Sequence, residues 1–243
     1  MPEQNAHKFI ITIDGPAASG KGTAAHLLSR EYELLNLDSG ACYRAVAWLG
    51  IEHDVPIDEN HIDELLDLLE KNPLKLLPNT EMTGPKCFVL VGDADITSLI
   101  RTPEVGNAAS IVGAYPEIRK VVREHERRIV ESHKAGVIVE GRDSGTVVFP
   151  EAEIKFFLTA APEVRARRRY EEYIVSGKEI PFENVLAEIV ERDERDTSRE
   201  YSALRIPVDA IVVDSTDYTV EQTHAELRKY IDKKLKEMGV LTS

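Results

Sequence analysis

The feature that most constrains the fold of this chain is a glycine-rich loop placed directly after an apolar run. Residues 9–13 are apolar apart from one threonine, and they lead through Asp14 into Gly15-Pro-Ala-Ala-Ser-Gly-Lys-Gly-Thr23. A glycine, four residues, and then glycine and lysine is the spacing of a P-loop, whose backbone N–H groups and helix N-terminus surround phosphate oxygens. The pattern predicts a strand, a tight phosphate-binding turn and a helix, in that order.

The same loop predicts how a nucleotide is held. Gly22 stands where Ser or Thr usually follows the lysine, and the hydroxyl comes one residue later at Thr23, an ending typical of small nucleoside monophosphate kinases. We expect Lys21 to bridge the β- and γ-phosphates of ATP, and Thr23, or waters near it, to help hold Mg²⁺. A glycine-rich turn without a ligand is the alternative. ATP binding is assigned to Gly15, Pro16, Ala17, Ala18, Ser19, Gly20, Lys21, Gly22 and Thr23.

Length, charge and cysteine content narrow the class of protein. The 243 residues suit one main domain with insertions, and there is no apolar run of roughly 18 residues, so we expect no membrane span. The net charge of −13 argues against general binding to nucleic acid. Residues 1–8 do not resemble a signal peptide, and Cys42 and Cys87 form no framework, which favours a reduced, cytoplasmic compartment.

Apolar runs and helical patterns alternate along the chain. The runs read as strands covered on both faces, and helices are predicted at 116–134 and 219–238, so the sequence predicts a parallel α/β sandwich. The five predicted strands are residues 9–13, 35–38, 137–140, 154–159 and 210–214.

Two segments interrupt this alternation. The first predicts a short helix and then two antiparallel strands, at 74–77 and 87–91, joined by the polar turn 78–85. The second is highly charged and predicts a helix, a loop and a helix, as in a mobile lid. The predicted division is a core of residues 1–54, 105–169 and 200–243, an insertion of residues 55–104, and a lid of residues 170–199.

Charged side chains follow three of the predicted strands. The first strand ends in Asp14, the second in Asp38-Ser-Gly-Ala-Cys-Tyr-Arg44, and the third in Glu140-Gly-Arg-Asp143. Because ligands of open α/β sheets bind beyond the carboxyl ends of the strands, these motifs are expected to share one crevice. Arg44, about one and a half turns into the next helix, and Arg142 suit bidentate binding of a phosphate. A structural salt bridge is the alternative for each.

The motif after the third strand also indicates which nucleotide base the site recognises. Asp143 offers only acceptors and an arginine only donors, a combination that complements the exocyclic amine and the two neighbouring acceptors of cytosine. Uracil would leave buried groups unpaired, which is the strong form of rejection. Ser110 and Arg119 are candidates to join Asp143, nominated only by their neighbourhood in the chain.

The predicted lid carries Arg192-Asp-Glu-Arg-Asp196 and then Arg199, at helical spacings. Arginines brought in on closure would neutralise the charge of the transferring phosphoryl group and help exclude water. An exposed helix with (i, i+3) and (i, i+4) ion pairs is the alternative, and the spacing does not decide between them.

Taken together, the motifs resemble those of the bacterial cytidylate kinases, members of the nucleoside monophosphate kinase group. The similarity runs from about residue 10 to the last helix, and the motif order is that of the family. It rests on the P-loop, on Leu37-Asp-Ser-Gly-Ala-Cys-Tyr-Arg44, on Arg101 to Ser110 with Asn107-Ala-Ala-Ser110, and on Gly141-Arg-Asp-Ser-Gly-Thr-Val-Val-Phe-Pro-Glu-Ala152, Arg165-Ala-Arg-Arg-Arg169 and Arg192-Asp-Glu-Arg-Asp-Thr-Ser-Arg199.

This resemblance implies an α/β P-loop kinase fold, with a five-stranded parallel sheet flanked by helices, a small α+β monophosphate-binding insertion and a short helical lid. It implies catalytic roles for Lys21, Arg142, Arg192 and Arg199, and ATP binding for Arg168. No side chain is assigned as a metal ligand. The substrate site it implies comprises Ser39, Arg44, Arg101, Ser110, Arg119, Arg142, Asp143, Arg192 and Asp196.

The expected activity is Mg²⁺-dependent phosphorylation of CMP and dCMP by ATP, giving CDP and dCDP. The protein is expected to be a monomer. Its expected partners are those small molecules, not nucleic acid or a membrane. One alternative is the same chemistry on UMP, AMP or a non-nucleotide alcohol, which the pairing of Asp143 with arginine disfavours. Another is a P-loop ATPase or nucleotide-sensing module, which would leave the arginines of the crevice without a purpose.

Overall fold

The computed structural model describes residues 9–78, 87–133 and 136–240. In chain order its elements are β1 (Ile10–Asp14), α1 (Lys21–Glu31), β2 (Leu35–Asp38), α2 (Ser39–Glu52), α3 (Ile62–Lys71), β3 (Leu74–Pro78), β4 (Cys87–Val91), β5 (Ala94–Asp95), α4 (Pro103–Val112), α5 (Pro116–Ser132), β6 (Val137–Gly141), β7 (Ile154–Thr159), α6 (Pro162–Val175), α7 (Phe182–Ser198), β8 (Ile211–Asp214) and α8 (Val220–Glu237). A 3-10 turn covers Leu99–Arg101 and a π-helical turn covers Ser144–Val148.

A five-stranded sheet forms the centre of the molecule. Its strand order is β2-β6-β1-β7-β8, and all four pairings are parallel, as the continuous apolar runs predict. Every residue of β1, β2 and β6 is buried, because helices cover both faces. The α/β class and the five parallel strands are therefore confirmed.

A second, three-stranded sheet follows α3. Strand β3 pairs antiparallel with β4, as predicted. Strand β4 also pairs antiparallel with the two-residue β5, which the sequence did not predict. The predicted polar turn between β3 and β4 lies largely outside the described residues. An apolar cluster joins this sheet to α2, α3, α4 and α5 through buried residues such as Leu65, Val89 and Val112. The division into core, insertion and lid stays a prediction.

Local sequence explains where several helices begin. Proline occupies the first turn of α4, α5 and α6, where its missing N–H costs no hydrogen bond. The Thr102 hydroxyl accepts the N–H of Val105 at the start of α4, and Thr219 and Gln222 form a capping box at the start of α8. No helix among the described residues has both the length and the apolar composition needed to span a membrane.

Candidate active site

The carboxyl ends of three neighbouring strands meet at one edge of the large sheet. Asp38 of β2 pairs in register with Glu140 of β6, and Asp14 of β1 pairs with Gly141. Beyond this edge lies a cavity of about 250 Å³, bounded by the loop before α1, the start of α2, the end of α4 and the inner side of α7. The crevice predicted from the charged strand ends is present.

The glycine-rich loop turns tightly around one end of the cavity. A Cβ on Gly15 would lie 2.0 Å from the carbonyl oxygen of Leu158, so no other residue fits there, and Gly20 enters α1 with a φ of +92°. Residues 17–23 line the cavity, whereas Gly15 and Pro16 lie behind it. The Lys21 Nζ donates to the carbonyl oxygen of Pro16 at 2.7 Å, which keeps the amine at the mouth of the loop. Burial, and then the charge of Arg142, holds the pKa of Lys21 well below its usual value.

Two arginines share one acid at the base of α2. The Oδ2 of Asp38 lies 3.6 Å from the Nη1 of Arg44 and 3.1 Å from the Nη2 of Arg101, while its Oδ1 accepts the N–H of Ala41 as the helix cap. The buried Ser39 begins the same helix and lines the cavity. Because one carboxylate pairs with two guanidinium groups, net positive charge remains at this end and can bind an anion.

Helix α7 closes over the cavity through another shared acid. Buried Asp196 receives the Nε of Arg142 at 2.8 Å and the Nη2 of Arg199 at 2.6 Å. Although burial opposes it, Arg142 and Arg199 hold the pKa of Asp196 below its usual value. Arg199 also donates to the carbonyl oxygen of Ser110 at 3.2 Å, which ties α7 to α4. Burial, and then Arg142, lowers the pKa of Arg192 to about 9.

The far end of the cavity holds a buried aspartate and arginine. The Nη2 of Arg119 lies 2.6 Å from the Oδ1 of Asp143, and its Nη1 donates to the carbonyl oxygen of Gly113 at 2.8 Å. The Oδ2 of Asp143 and the hydroxyl of Ser110 are buried and have no hydrogen-bond partner among the described residues. The Arg119 guanidinium lies 5.2 Å from the ring centre of Tyr43. Unpaired buried groups cost about 1–3 kcal/mol each, so this end is built for a polar ligand.

Asp14, the last residue of β1, supports that end through the backbone after Asp143. Its carboxyl accepts the N–H groups of Ser144 at 3.0 Å and Gly145 at 2.7 Å, and thereby holds the π-helical turn that follows Asp143. Burial raises the pKa of Asp14 to about 6. Both oxygens are thus engaged by the backbone, and Asp14 orients Asp143 without lining the cavity itself.

The arginines of α6 take different positions. Arg168 donates to the carbonyl oxygens of Ser19 at 3.3 Å and Ser215 at 2.7 Å, so it lies against the outer side of the glycine-rich loop. Arg169 lines the cavity and pairs with Glu172 at 3.0 Å. The sequence singled out Arg168 and not Arg169. Adjacent residues of a helix point about 100° apart, but the cluster gave no sign of which one faces inward.

The charge of the cavity is opposite to that of the molecule. Among the described residues eight lysine and arginine side chains line it, against five aspartates and glutamates, in a chain of net charge −13. All nine residues of the predicted substrate site line this cavity, as do Lys21 and the arginines predicted to be catalytic. The arrangement can bind two phosphate-bearing groups close together and hold a polar heterocycle beyond one of them.

Comparisons with known proteins give one consistent family. Residues 11–233 match the family model described as cytidylate kinase. A cytidylate kinase from Carboxydothermus hydrogenoformans is 46% identical over 225 residues, which are 92% of this chain and 97% of that protein. One from Aeromonas salmonicida is 40% identical, over 93% of this chain and 95% of that protein. A solved structure of an uncharacterized protein from Eubacterium ventriosum, with a TM-score of 0.50 and 14% identity, covers 93% of this chain and 99% of its own; this likeness concerns the fold alone.

Proposed function

This chain belongs to the cytidylate kinase family, and on that basis we propose that it transfers the γ-phosphoryl group of ATP to CMP and dCMP, giving CDP and dCDP. The observation that carries the choice of acceptor is the buried pair of Arg119 and Asp143, which leaves the Oδ2 of Asp143 unpaired at the cavity wall. The hydroxyl of Ser110 is unpaired beside it.

Recognition of the base follows from the hydrogen-bonding character of these groups. Asp143 presents an acceptor to the exocyclic amine of cytosine, and Arg119 presents donors to its ring nitrogen and carbonyl oxygen. Ser110 supplies a hydroxyl that can donate or accept. Uracil would place a carbonyl oxygen against Asp143 and an N–H against Arg119, leaving both buried groups without a partner.

The acceptor phosphate is bound by the cationic groups nearest the start of α2. Ser39, Arg44 and Arg101 provide one wall, and Arg142 provides the other. We assign Arg192 and Asp196 to the ribose and phosphate of the acceptor. A phosphate oxygen of the monophosphate is already an anion, so its attack on the γ-phosphorus needs no general base; the protein's task is to align the two groups.

Charge stabilisation during transfer is assigned to four side chains. Lys21 contacts the β- and γ-phosphates, and Arg142, Arg192 and Arg199 surround the moving phosphoryl group, whose equatorial oxygens carry the developing charge. Helix α7 brings Arg192 and Arg199 over the cavity and excludes water, which would otherwise compete as the phosphoryl acceptor. Arg168, against the loop that binds the phosphates, is assigned to the ATP side of the site.

The residues also fit a magnesium ion that arrives with the nucleotide. Thr23 lines the cavity in the first turn of α1, and the parts of the chain described here hold no cluster of three acidic, histidine or cysteine side chains that would bind a metal by themselves. Mg²⁺ favours phosphate oxygens and water over cages made only of protein groups. When bound, the ion neutralises phosphate charge, and Thr23 would orient it or its water.

One assay tests the proposal. ADP release is measured with ATP and Mg²⁺ in the presence of CMP, dCMP, UMP or AMP, each against a blank without acceptor. We expect CMP and dCMP to stimulate ADP release well above the blank, and UMP to require far higher concentrations. Equal or greater stimulation by UMP or AMP would overturn the assignment of the base, and ADP release that no monophosphate stimulates would overturn the kinase assignment.

A further inference from the structure

Glu126 is a buried acidic group behind the cavity wall, close to Arg119 and Asp143, and it has no role in the chemistry above. Glu126 is on α5, two helical turns after Arg119 and on the same face, and its side chain is 0% exposed. Neither of its carboxyl oxygens has a hydrogen-bond partner of good geometry among the described residues. Burying a carboxylate in this way is costly, because desolvation removes its water and the Ser39 hydroxyl replaces only part of that solvation.

The groups around Glu126 are those of the proposed base and phosphate sites. Arg119 is the cation among them, and it is already paired with Asp143 at 2.6 Å. The Ser39 hydroxyl faces the carboxyl from the start of α2. Titratable and polar groups that face Glu126 come from β1, α2, α5 and the turn after β6: they are Asp14, Ser39, Cys42, Tyr43, Arg119 and Asp143.

We propose, on the basis of the proposed function, that Glu126 is a positioning residue of the cytosine site. It remains uncharged in the working enzyme, so that Arg119 stays paired with Asp143. A neutral carboxyl does not compete for the Arg119 guanidinium and does not repel Asp143. An ionised one would do both, since two buried carboxylates would then share the Arg119 guanidinium.

The electrostatic environment of the group agrees with this role. Burial is the main cause that raises the pKa of Glu126, from its usual 4.5 to about 8, and Asp143 and Asp14 add to the effect. Ser39 and Arg119 oppose it and do not outweigh burial. Glu126 therefore binds a proton at neutral pH and loses it in mildly alkaline solution, which gives the positioning role a measurable signature.

The test compares the pH dependence of the KM for CMP in the wild-type enzyme and in Glu126→Gln, between pH 6.5 and 9.5. We expect the wild-type KM for CMP to rise by about tenfold through a midpoint near pH 8, because ionised Glu126 draws Arg119 away from Asp143. In Glu126→Gln, whose side chain cannot ionise, the rise disappears. The KM for ATP follows the same pH dependence in both enzymes. The acceptor phosphate is fully ionised over most of this range, since its second pKa is about 6.

Glu124→Gln is the matched control, since Glu124 is exposed on the same helix, and it should keep the wild-type alkaline rise. Lys21 and Arg192 titrate alike in every variant, so their effects cancel in the comparison. An alkaline rise of equal size in Glu126→Gln would overturn the inference while leaving the proposed function intact. Absence of CMP-dependent turnover in the wild type at every pH would instead overturn the proposed function.

Discussion

At the scale of single residues, three buried acids of the site pair with arginines. Asp38 serves Arg44 and Arg101, Asp196 serves Arg142 and Arg199, and Asp143 has Arg119. These three acids differ in what they have left to offer. Asp196 has an arginine at each oxygen, whereas the Oδ2 of Asp143 has no hydrogen-bond partner among the described residues.

Replacing Asp143 tests that remaining oxygen. Asp143→Asn should lower kcat/KM for CMP by about 100-fold or more, because the site loses its charged acceptor and the partner of buried Arg119. The same change should raise the activity with UMP relative to CMP, since an amide can donate to the carbonyl oxygen of uracil. Steady-state kinetics with both acceptors measures the two effects.

Two further measurements distinguish a loss of base recognition in Asp143→Asn from a general defect of the enzyme. The KM for ATP should stay within about twofold of the wild-type value, because the ion-pair partner of Asp143 is Arg119 of α5 and not a residue of the P-loop. Asp63→Asn, a change at an exposed position of α3, provides a control for the loss of a negative charge. A loss of ATP binding in Asp143→Asn would show that Asp143 belongs to the donor side of the crevice.

At the scale of elements, two acids link α7 to the rest of the site. Asp196 pairs with Arg142 and Arg199. Asp193 pairs with Arg165, which also donates to the carbonyl oxygen of Ala17 in the P-loop.

The inner side of α7 bears Asp196 and Arg192, and Arg199 follows directly after its last residue. Its outer side bears an exposed pair of Glu191 and Arg195 at 2.6 Å. The spacing alone allowed either a set of solvated ion pairs or a functional face. The structure contains both, on opposite sides of one helix.

Asp196→Asn tests the inner side. The amide cannot hold two guanidinium groups, so we expect α7 to open more readily and kcat to fall by about 10- to 100-fold. Hydrogen exchange of the α7 amides should become faster while that of α8 is unchanged. Glu191→Gln removes only an exposed pair, of the kind that contributes about 0.2–1 kcal/mol, and should change neither measurement. Equal effects of the two substitutions would contradict the role given to Asp196.

Helices and strands were predictable from the sequence where a continuous apolar run or a helical spacing of apolar residues marked them. The five parallel strands follow from continuous apolar runs, and their charged ends meet because parallel strands end at the same edge. Helix α4 was missed because Gly106 and Asn107 favour helices poorly; packing against α2 stabilises it. The two-residue β5 has no pattern of its own and depends on the turn at Gly92, where φ is +59°.

Side-chain roles were less predictable than elements. Arg119 and Asp143 lie 24 positions apart, and only the packing of α5 beside β6 brings their side chains together. One signal was present and unused: Glu126 follows Ile118 and Val122 at intervals of four, inside the apolar stripe of α5. A charged residue within such a stripe predicts a buried group. The catalytic and binding roles given to the site residues stay predictions until they are measured.

At the scale of the whole molecule, the cavity is where separate apolar clusters meet. One cluster packs the sheet against α1 and α8, another packs α2 to α5 with the small sheet, and a third packs α6 against α7. The ion pairs of Arg142 with Asp196 and of Arg119 with Asp143 lie between these parts. Folding therefore buries titratable groups between these clusters, and the pH dependence of global stability reports on them.

Glu126 is one such group whose contribution a single substitution isolates. Its pKa rises from 4.5 to about 8 on folding, so the folded chain binds a proton that the unfolded chain has lost between these values. Stability conferred by wild-type Glu126 is present below about pH 4.5, falls as pH rises to about 8, and is constant above that. The free energy of unfolding of the wild type minus that of Glu126→Gln should thus fall by a few kcal/mol, on the order of the pKa change times 1.4 kcal/mol per unit.

Urea unfolding of both proteins at pH 5, 6.5, 8 and 9 measures this difference without any substrate, so it is independent of the kinetic signature of Glu126. Asp14, whose pKa burial raises to about 6, adds a slope of its own to both proteins, and the part of it that does not depend on Glu126 cancels in the subtraction. Glu124→Gln should unfold in parallel with the wild type at every pH, because that group is exposed in both states. Parallel curves for Glu126→Gln and the wild type would mean that Glu126 is already ionised at neutral pH; Arg119 would then be shared between two carboxylates, and the cytosine site would have to be held by other contacts.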